Sequence, residues 1–326
     1  MYSIIVITLY YGTLPDYFYS WIKSCEYNPT IDFLVVTDQK IDREMPVNVK
    51  VYNCCISEIK SRIEKCIGTP IWLENPRKLC DFKPIFGLVF SEYTSNYDFW
   101  GCCDIDLVFG DIRKFITEEI LEQYDKIMKL GHISLYRNND ECNNRYKCPG
   151  ARYDYKDAFV RPYNVIYDEV DYNLIYKVNG FKLFDDKDIF LDIIVGIPRM
   201  IPFKKDRHER CIFAFRKGKV YQCYYENGIY HEDEYMYIHF SDRSDMYVEE
   251  NIGDAFYISG KGIYSVGEKA VEQYMEELNS ANGLYDFIIL FIYIIKEYKK
   301  KWRLFLIRNK YRLQRSILVI VKKYLQ

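Results

Sequence analysis

No run of some twenty uncharged apolar residues occurs anywhere in the 326 residues, although 49% of them are hydrophobic. A spanning helix needs about 20 such residues, so none is predicted. The N-terminus, Met1-Tyr2-Ser3-Ile4-Ile5-Val6-Ile7-Thr8-Leu9, lacks a basic n-region and a small-residue cleavage site. It is therefore read as a first buried strand rather than a signal peptide. The C-x-x-C spacing of a zinc site is also missing. The eleven cysteines are odd in number, in a long chain, and no export signal precedes them. They are expected to be reduced thiols that fill core space, including the adjacent pairs Cys54-Cys55 and Cys102-Cys103. Internal repeats and low-complexity tracts are absent. From Tyr10 to Tyr19 there is one glycine and no Lys or Arg, whereas a nucleotidyltransferase would carry a Gly-rich, basic phosphate loop here.

The net charge of −2 hides an asymmetry. From Leu284 to Gln326 eleven Lys or Arg face only Asp286 and Glu297, which makes the tail +9 and leaves residues 1–283 at −11. Two regions with different partners are expected, a folded domain over 1–283 and a basic helical tail over 284–326. In the tail an apolar run, Ile288 to Ile295, is too short to span. It is followed by Lys296, Lys299 to Lys301, Arg303, Arg308, Lys310, Arg312 and Arg315, interleaved with Trp302, Leu304, Phe305, Leu306 and Ile307. Apolar anchors with a dense cationic face describe an interfacial helix on an anionic membrane. Helix packing or oligomerisation is the competing reading, and no nucleic-acid-binding signature accompanies the basic stretch.

Tyr2 to Leu9, Asp32 to Thr37 and Val47 to Tyr52 are apolar or alternating runs separated by helix-length segments, the rhythm of a βαβ domain with a largely parallel sheet. Ligands in such sheets sit at the carboxyl ends of strands, which makes Tyr10-Tyr11-Gly12 and Asp38 candidate walls of a nucleotide pocket. Helices are predicted over Ile56 to Ile67, over Leu79 to Tyr93 with Pro84 in a first turn, and over Asp185 to Val195. Further strands are predicted at Tyr97 to Cys103 and Gly131 to Tyr136. Asn138 to Tyr155 reads as a polar loop able to close over substrate, and Cys211 to Phe240 is expected to contain a hairpin turning at Asn227-Gly228.

The strand at Tyr97 to Cys103 runs directly into Asp104-Ile105-Asp106. Alternating side-chain directions put both carboxylates on one side, and after a nearly pure apolar strand an uncompensated charge would be expensive. Carboxylates paired in this way suit a hard divalent cation. The triplet alone is weak, because Asp186-Lys187-Asp188 repeats it.

Lys78-Leu79-Cys80-Asp81-Phe82-Lys83-Pro84, Tyr97-Asp98-Phe99-Trp100-Gly101, Asp104 to Asp111 and Gly131-His132-Ile133-Ser134-Leu135-Tyr136 occur together. This block resembles a bacterial group of GT-A-type glycosyltransferases, classed as a domain of unknown function in capsule or surface-polysaccharide gene clusters, over roughly residues 1 to 245. The resemblance implies a GT-A, Rossmann-like α/β catalytic domain, with donor contacts at Tyr10, Tyr11, Gly12, Asp38, Lys78, Asp81 and Lys83. It also implies Mn²⁺ or Mg²⁺ on Asp104 and Asp106. Lys83 then suits a diphosphate oxygen, with a surface Lys beside a turn Pro as the plain alternative. A late aromatic-His-aromatic element of the family is matched by Tyr237-Ile238-His239-Phe240, which implies His239 as a third ligand, against a hydrogen-bonded core histidine. The family's following Gln-Lys-Arg is here Ser241-Asp242-Arg243. Phe184-Asp185-Asp186 resembles a Phe-Asp-Glu element, making Asp186 the first candidate base, with Asp185 and Glu234 as rivals and helix N-capping as the alternative for the two aspartates.

The function expected is transfer of a sugar from a nucleotide-sugar donor, a UDP-sugar, to a saccharide acceptor, lipid-linked, in surface-polysaccharide synthesis. The expected location is the cytoplasm, peripheral on the inner membrane face. The competing readings are a nucleotidyltransferase and a membrane-docked scaffold without turnover.

Overall fold

The computed structural model describes residues 1–194, 200–203, 211–241, 243, 245–260 and 262–267. The basic tail, 284–326, lies outside the described residues, as do residues 268–283 of the domain that precedes it. The strands begin with β1 (Ile4–Tyr10), β2 (Ile31–Thr37), β3 (Val49–Asn53), β4 (Phe99–Cys103) and β5 (Leu107–Phe109). Next come β6 (Lys126–Ile127), β7 (Ile133–Arg137), β8 (Leu183–Phe184) and β9 (Leu191–Asp192). The described residues after these hold β10 (Cys211–Arg216), β11 (Lys219–Glu226), β12 (Ile229–Tyr235), β13 (Tyr237–His239), β14 (Tyr247–Val248), β15 (Ala255–Ser259) and β16 (Gly262–Ser265).

Seven strands form the main sheet in the order β3-β2-β1-β4-β7-β6-β8. The first four run parallel, β7 is antiparallel to both its neighbours, and β8 is parallel to β6. The fold is mixed α/β with a parallel-rich sheet. Alternation along β1 sends Ile4 and Val6 to one core layer and Ile5 and Ile7 to the other, so both faces are covered and the strand reads as an unbroken apolar run. Helix α1 (Phe18–Glu26) buries Phe18, Trp21, Ile22 and Cys25 in the first layer. Helix α2 (Ile56–Ile67) presses Ile59 and Ile63, one turn apart, into the second and stops at Gly68 in the left-handed conformation. These bounds for α2 coincide with the sequence reading. All eleven cysteines are free thiols.

A second, six-stranded sheet, β12-β11-β10-β15-β16-β14, packs its Phe213, Phe215, Phe256 and Ile258 into the first core layer. It contains the expected hairpin: β11 and β12 are joined by Asn227 and Gly228, both at positive φ, as a two-residue primed turn requires.

Three expectations are corrected. Leu79 to Tyr93 is not one helix but a 3₁₀ segment, Pro76–Ile85, followed by the short helices Phe86–Val89 and Ser91–Thr94. Pro84 sits at the end of the 3₁₀ segment, where its missing N–H and ring disfavour α-helical continuation. Asp185 to Ile194 holds strand β9 and bends rather than a helix, because Leu191 and Asp192 find a parallel partner in β13. Asn138 to Tyr155 is no open flap: it forms short helical turns whose Cys142, Asn143, Arg145 and Tyr146 are buried, and Asn143 accepts a hydrogen bond from the Trp100 indole at 2.7 Å.

Candidate active site

The carboxyl ends of the parallel strands share one edge. Past β1, the Gly12 N–H donates to Asp38 Oδ1 at 3.3 Å beyond β2. Gly12 has φ +105, a conformation that L side chains rarely adopt. The Tyr11 hydroxyl lies 3.4 Å from Cys54 Sγ, just past β3, and Tyr10 closes β1 half-buried against the core. Asp104 follows β4 immediately, its amide bonded to the His132 carbonyl at 3.1 Å. The predicted donor-turn residues Tyr10, Tyr11, Gly12 and Asp38 therefore stand on the same sheet edge as Asp104.

A small third sheet, β5-β13-β9, completes the site. Because β5 and β13 are antiparallel, the start of β5 meets the end of β13 and His239 faces Leu107. The next amide, Phe240 N–H, reaches the Asp106 carbonyl at 3.1 Å. Because β9 and β13 are parallel, Asp192 stands directly opposite His239. Three segments far apart in sequence thus deliver three aspartates, Asp104, Asp106 and Asp192, and His239 to one corner.

In that corner one ligand atom each from Asp104, Asp106 and His239 lies within 4.8 Å of the others. His239 Nε2 is 3.4 Å from Asp106 Oδ2, and His239 Nδ1 is 2.8 Å from Asp192 Oδ1. Burial alone would push the His239 pKa down, but Asp106 and Asp192 outweigh it and hold it at about 10. The His132 ring lies against that of His239, centroids 3.6 Å apart. Burial and the neighbouring His239 drive its pKa well below normal, so His132 stays neutral.

Two carboxylates and an imidazole nitrogen converging within this distance fit a divalent ion. Carboxylate oxygens suit Mg²⁺ and Mn²⁺ alike, while the imidazole tilts the set towards Mn²⁺.

Lys83 reaches the same corner. Its Nζ is 2.6 Å from Asp104 Oδ1 and 2.9 Å from the Gly131 carbonyl. Burial would strip the proton, yet Asp104 and its neighbours hold the ammonium charged. A Cβ on Gly131 would sit 2.9 Å from Lys83 Nζ, 3.0 Å from Asp168 Oδ2 and 3.1 Å from Glu169 Oε1. Any larger residue there would push those three side-chain ends apart. Asp168, which the sequence reading missed, is buried, and that burial, opposed by Lys83, raises its carboxyl pKa to about 8.

Lys78 and Asp81 are placed differently from the expectation. They pair at 2.7 Å with exposures of 1% and 0%. The remaining Lys78 protons go to the Ala158 and Tyr163 carbonyls, and Asp81 accepts from the Val165 and Tyr167 amides. With every donor committed in the core, neither is available for direct donor contact; they anchor the 3₁₀ segment that carries Lys83.

Among the candidate bases, Asp185 is bound to Lys129 through its backbone amide and its ammonium, at 3.3 and 3.0 Å. Asp186 closes a local turn onto the Asp188 amide. Neither caps a helix among the described residues, since 187–194 hold bends and β9. Glu234 bonds Lys114 at 2.6 Å, beside the end of the small sheet opposite His239. The structure does not bring Asp186 or Glu234 to the metal-ligand corner.

The model of a family described as "Family of unknown function (DUF6625)" matches residues 6–266. The chain belongs to that family. The match includes Asp104, Asp106, Asp192 and His239, so the whole corner lies within the DUF6625 region. No curated protein matches this DUF6625 member. Similar solved structures include the galactosyltransferase LgtC in complex with donor and acceptor sugar analogues. It is 10% identical over 58% of this chain and 75% of its own, with a TM-score of 0.31. An active-site mutant of LgtC gives 10%, 58%, 74% and 0.33. The glycosyltransferase GlyE of Streptococcus pneumoniae TIGR4 gives 11%, 56%, 45% and 0.30.

Proposed function

We propose that this chain is a metal-dependent glycosyltransferase of GT-A type. It takes a sugar from a nucleotide-sugar donor, a UDP-sugar, and passes it to a saccharide acceptor. The observation that carries this reading is the convergence of Asp104, Asp106 and His239 at the carboxyl edge of a parallel sheet, where nucleotides bind in such folds. Mn²⁺ or Mg²⁺ held there would neutralise the charge that builds on the leaving diphosphate. Asp104, 35% exposed, offers the open side of the site, and Lys83 fixes one of its oxygens. The Tyr11-Gly12 turn and Asp38 bound the same edge and would contact the nucleoside.

A panel of UDP-, GDP- and CMP-sugars, each with and without Mn²⁺, tests the reading by thermal shift. A ligand at 100 times its Kd stabilises by about 2.7 kcal/mol. UDP-sugars with Mn²⁺ should raise Tm and the others should not. If no nucleotide sugar raises it, or if metal makes no difference, the reading is wrong.

No helix among the described residues is long and apolar enough to cross a membrane. The +9 tail is proposed to hold the enzyme on the inner membrane face, beside a lipid-linked acceptor of surface-polysaccharide synthesis. Each basic residue near an anionic surface contributes roughly 1 kcal/mol, screened beyond about 8 Å at physiological salt. The full chain should co-sediment with phosphatidylserine vesicles at low salt and release at high salt. Indifference to anionic lipid would make the tail a packing or oligomerisation element.

A further inference from the structure

We infer that Asp192 is a positioning residue of the metal site, acting through His239. This inference rests on the metal reading above. A histidine ligates through one ring nitrogen, and which one is free depends on what holds the other. Here Asp192 Oδ1 lies 2.8 Å from His239 Nδ1. An ionised carboxylate only accepts, so Nδ1 donates to it and carries the ring proton. Nε2 is thereby left to face Asp106 Oδ2, 3.4 Å away, as the nitrogen that would ligate once an ion displaces its proton.

The fold builds this contact rather than leaving it to side-chain chance. Asp192 and His239 are paired residues on the parallel strands β9 and β13, so their side chains leave the same face side by side. The Ile193 amide bonds the His239 carbonyl at 2.9 Å and locks the register. The Ser241 hydroxyl donates its one proton to the Ile193 carbonyl at 3.0 Å and packs beside the pair, 3.5 Å from Asp192 Oδ1 and 3.3 Å from His239 Nδ1. The buried His132 ring lies over the His239 ring, restricting rotation of its plane. Asp192 lies across the imidazole from Nε2 and so does not ligate the same ion.

One ligand atom each from His132, Asp192 and His239 also lies within 4.8 Å of the others. The competing arrangement is therefore a second ion at that set. Held through His239 Nδ1, it would require that nitrogen to give up its proton and its 2.8 Å bond to Asp192, whereas His132 Nε2 stands 3.9 Å from Asp192 Oδ1.

The test is Mn²⁺ affinity, followed by the electron paramagnetic resonance signal of the free ion, for the full chain and for Asp192→Ala, Asp192→Asn and His132→Ala. Loss of such an outer contact typically weakens metal binding 10- to 100-fold, so Asp192→Ala should fall by about that factor. Asp192→Asn should fall less, because its amide oxygen still accepts from Nδ1. At saturating Mn²⁺, UDP affinity should match the wild type in both. A purely structural role would instead lower Tm and the fraction of competent protein with unchanged Mn²⁺ affinity, and that result overturns the inference. Two ions per chain, with one lost in His132→Ala, overturns it in favour of the second site. If the wild type binds Mn²⁺ and the Asp192 variants bind it equally, only this inference fails. If the wild type binds none, the metal reading fails and takes the inference with it.

Discussion

Asp106→Asn should lower sugar transfer by a factor on the order of a hundred or more, with the fold intact, because the transition state loses a group that holds its counter-charge. The substitution is nearly isosteric, and the backbone bond from Phe240 N–H to the Asp106 carbonyl does not involve the side chain. Asp106 is a cleaner probe than Asp104. Asp104→Asn should also lower transfer, but it would leave the buried Lys83 ammonium without its 2.6 Å carboxylate partner, so a loss of activity there mixes chemistry with stability. Initial rates at saturating donor and Mn²⁺, with circular dichroism as the fold control, give the measurement. Full activity in Asp106→Asn would remove that carboxylate from the ligand set.

Asp81→Ala should be the most damaging single change to stability. It leaves the Lys78 ammonium at 1% exposure with no counter-ion and deprives the Val165 and Tyr167 amides of their acceptor. Breaking one side of a buried ion pair costs about 3–5 kcal/mol, against a total stability of about 5–15 kcal/mol for a folded protein. Urea denaturation of wild type and variant measures it. Replacing both partners, as Lys78→Met with Asp81→Leu, should recover much of the loss, because the penalty comes mainly from the stranded charge rather than from the absent bond. A loss under about 1 kcal/mol in Asp81→Ala would mean that water or another group reaches Lys78.

The parts of the fold that showed in the sequence are those whose signal is local. Strands β1, β2 and β4 are covered on both faces and therefore appear as apolar runs. Helix α2 shows its one-sided Ile59 and Ile63, and the β11–β12 turn announces itself as Asn227-Gly228. Asp104 and Asp106 were legible for the same reason, since a strand and its acidic end adjoin in the chain. What escaped depends on distant partners. Strand β9 is two residues long and owes its existence to β13, so the local pattern alone reads as a helix and does not display Asp192. His132 and Asp168 become site residues only where β7's approach and the segment at Tyr167–Asp171 meet Lys83 and His239. Lys78 and Asp81 show the opposite error. The resemblance implied a donor contact for both, but nothing in the local sequence displays that Ala158, Tyr163, Val165 and Tyr167 enclose the pair.

The central claim is that Asp104, Asp106 and His239 form one divalent-metal site that serves a nucleotide diphosphate. It is tested most directly by titrating the wild type and Asp106→Asn with Mn²⁺, with and without UDP, and following the paramagnetic signal of the free ion. The account expects one ion per wild-type chain, held more tightly when UDP is present, and a large loss of affinity in Asp106→Asn. Absence of a bound ion in the wild type, or equal binding by the variant, would contradict it.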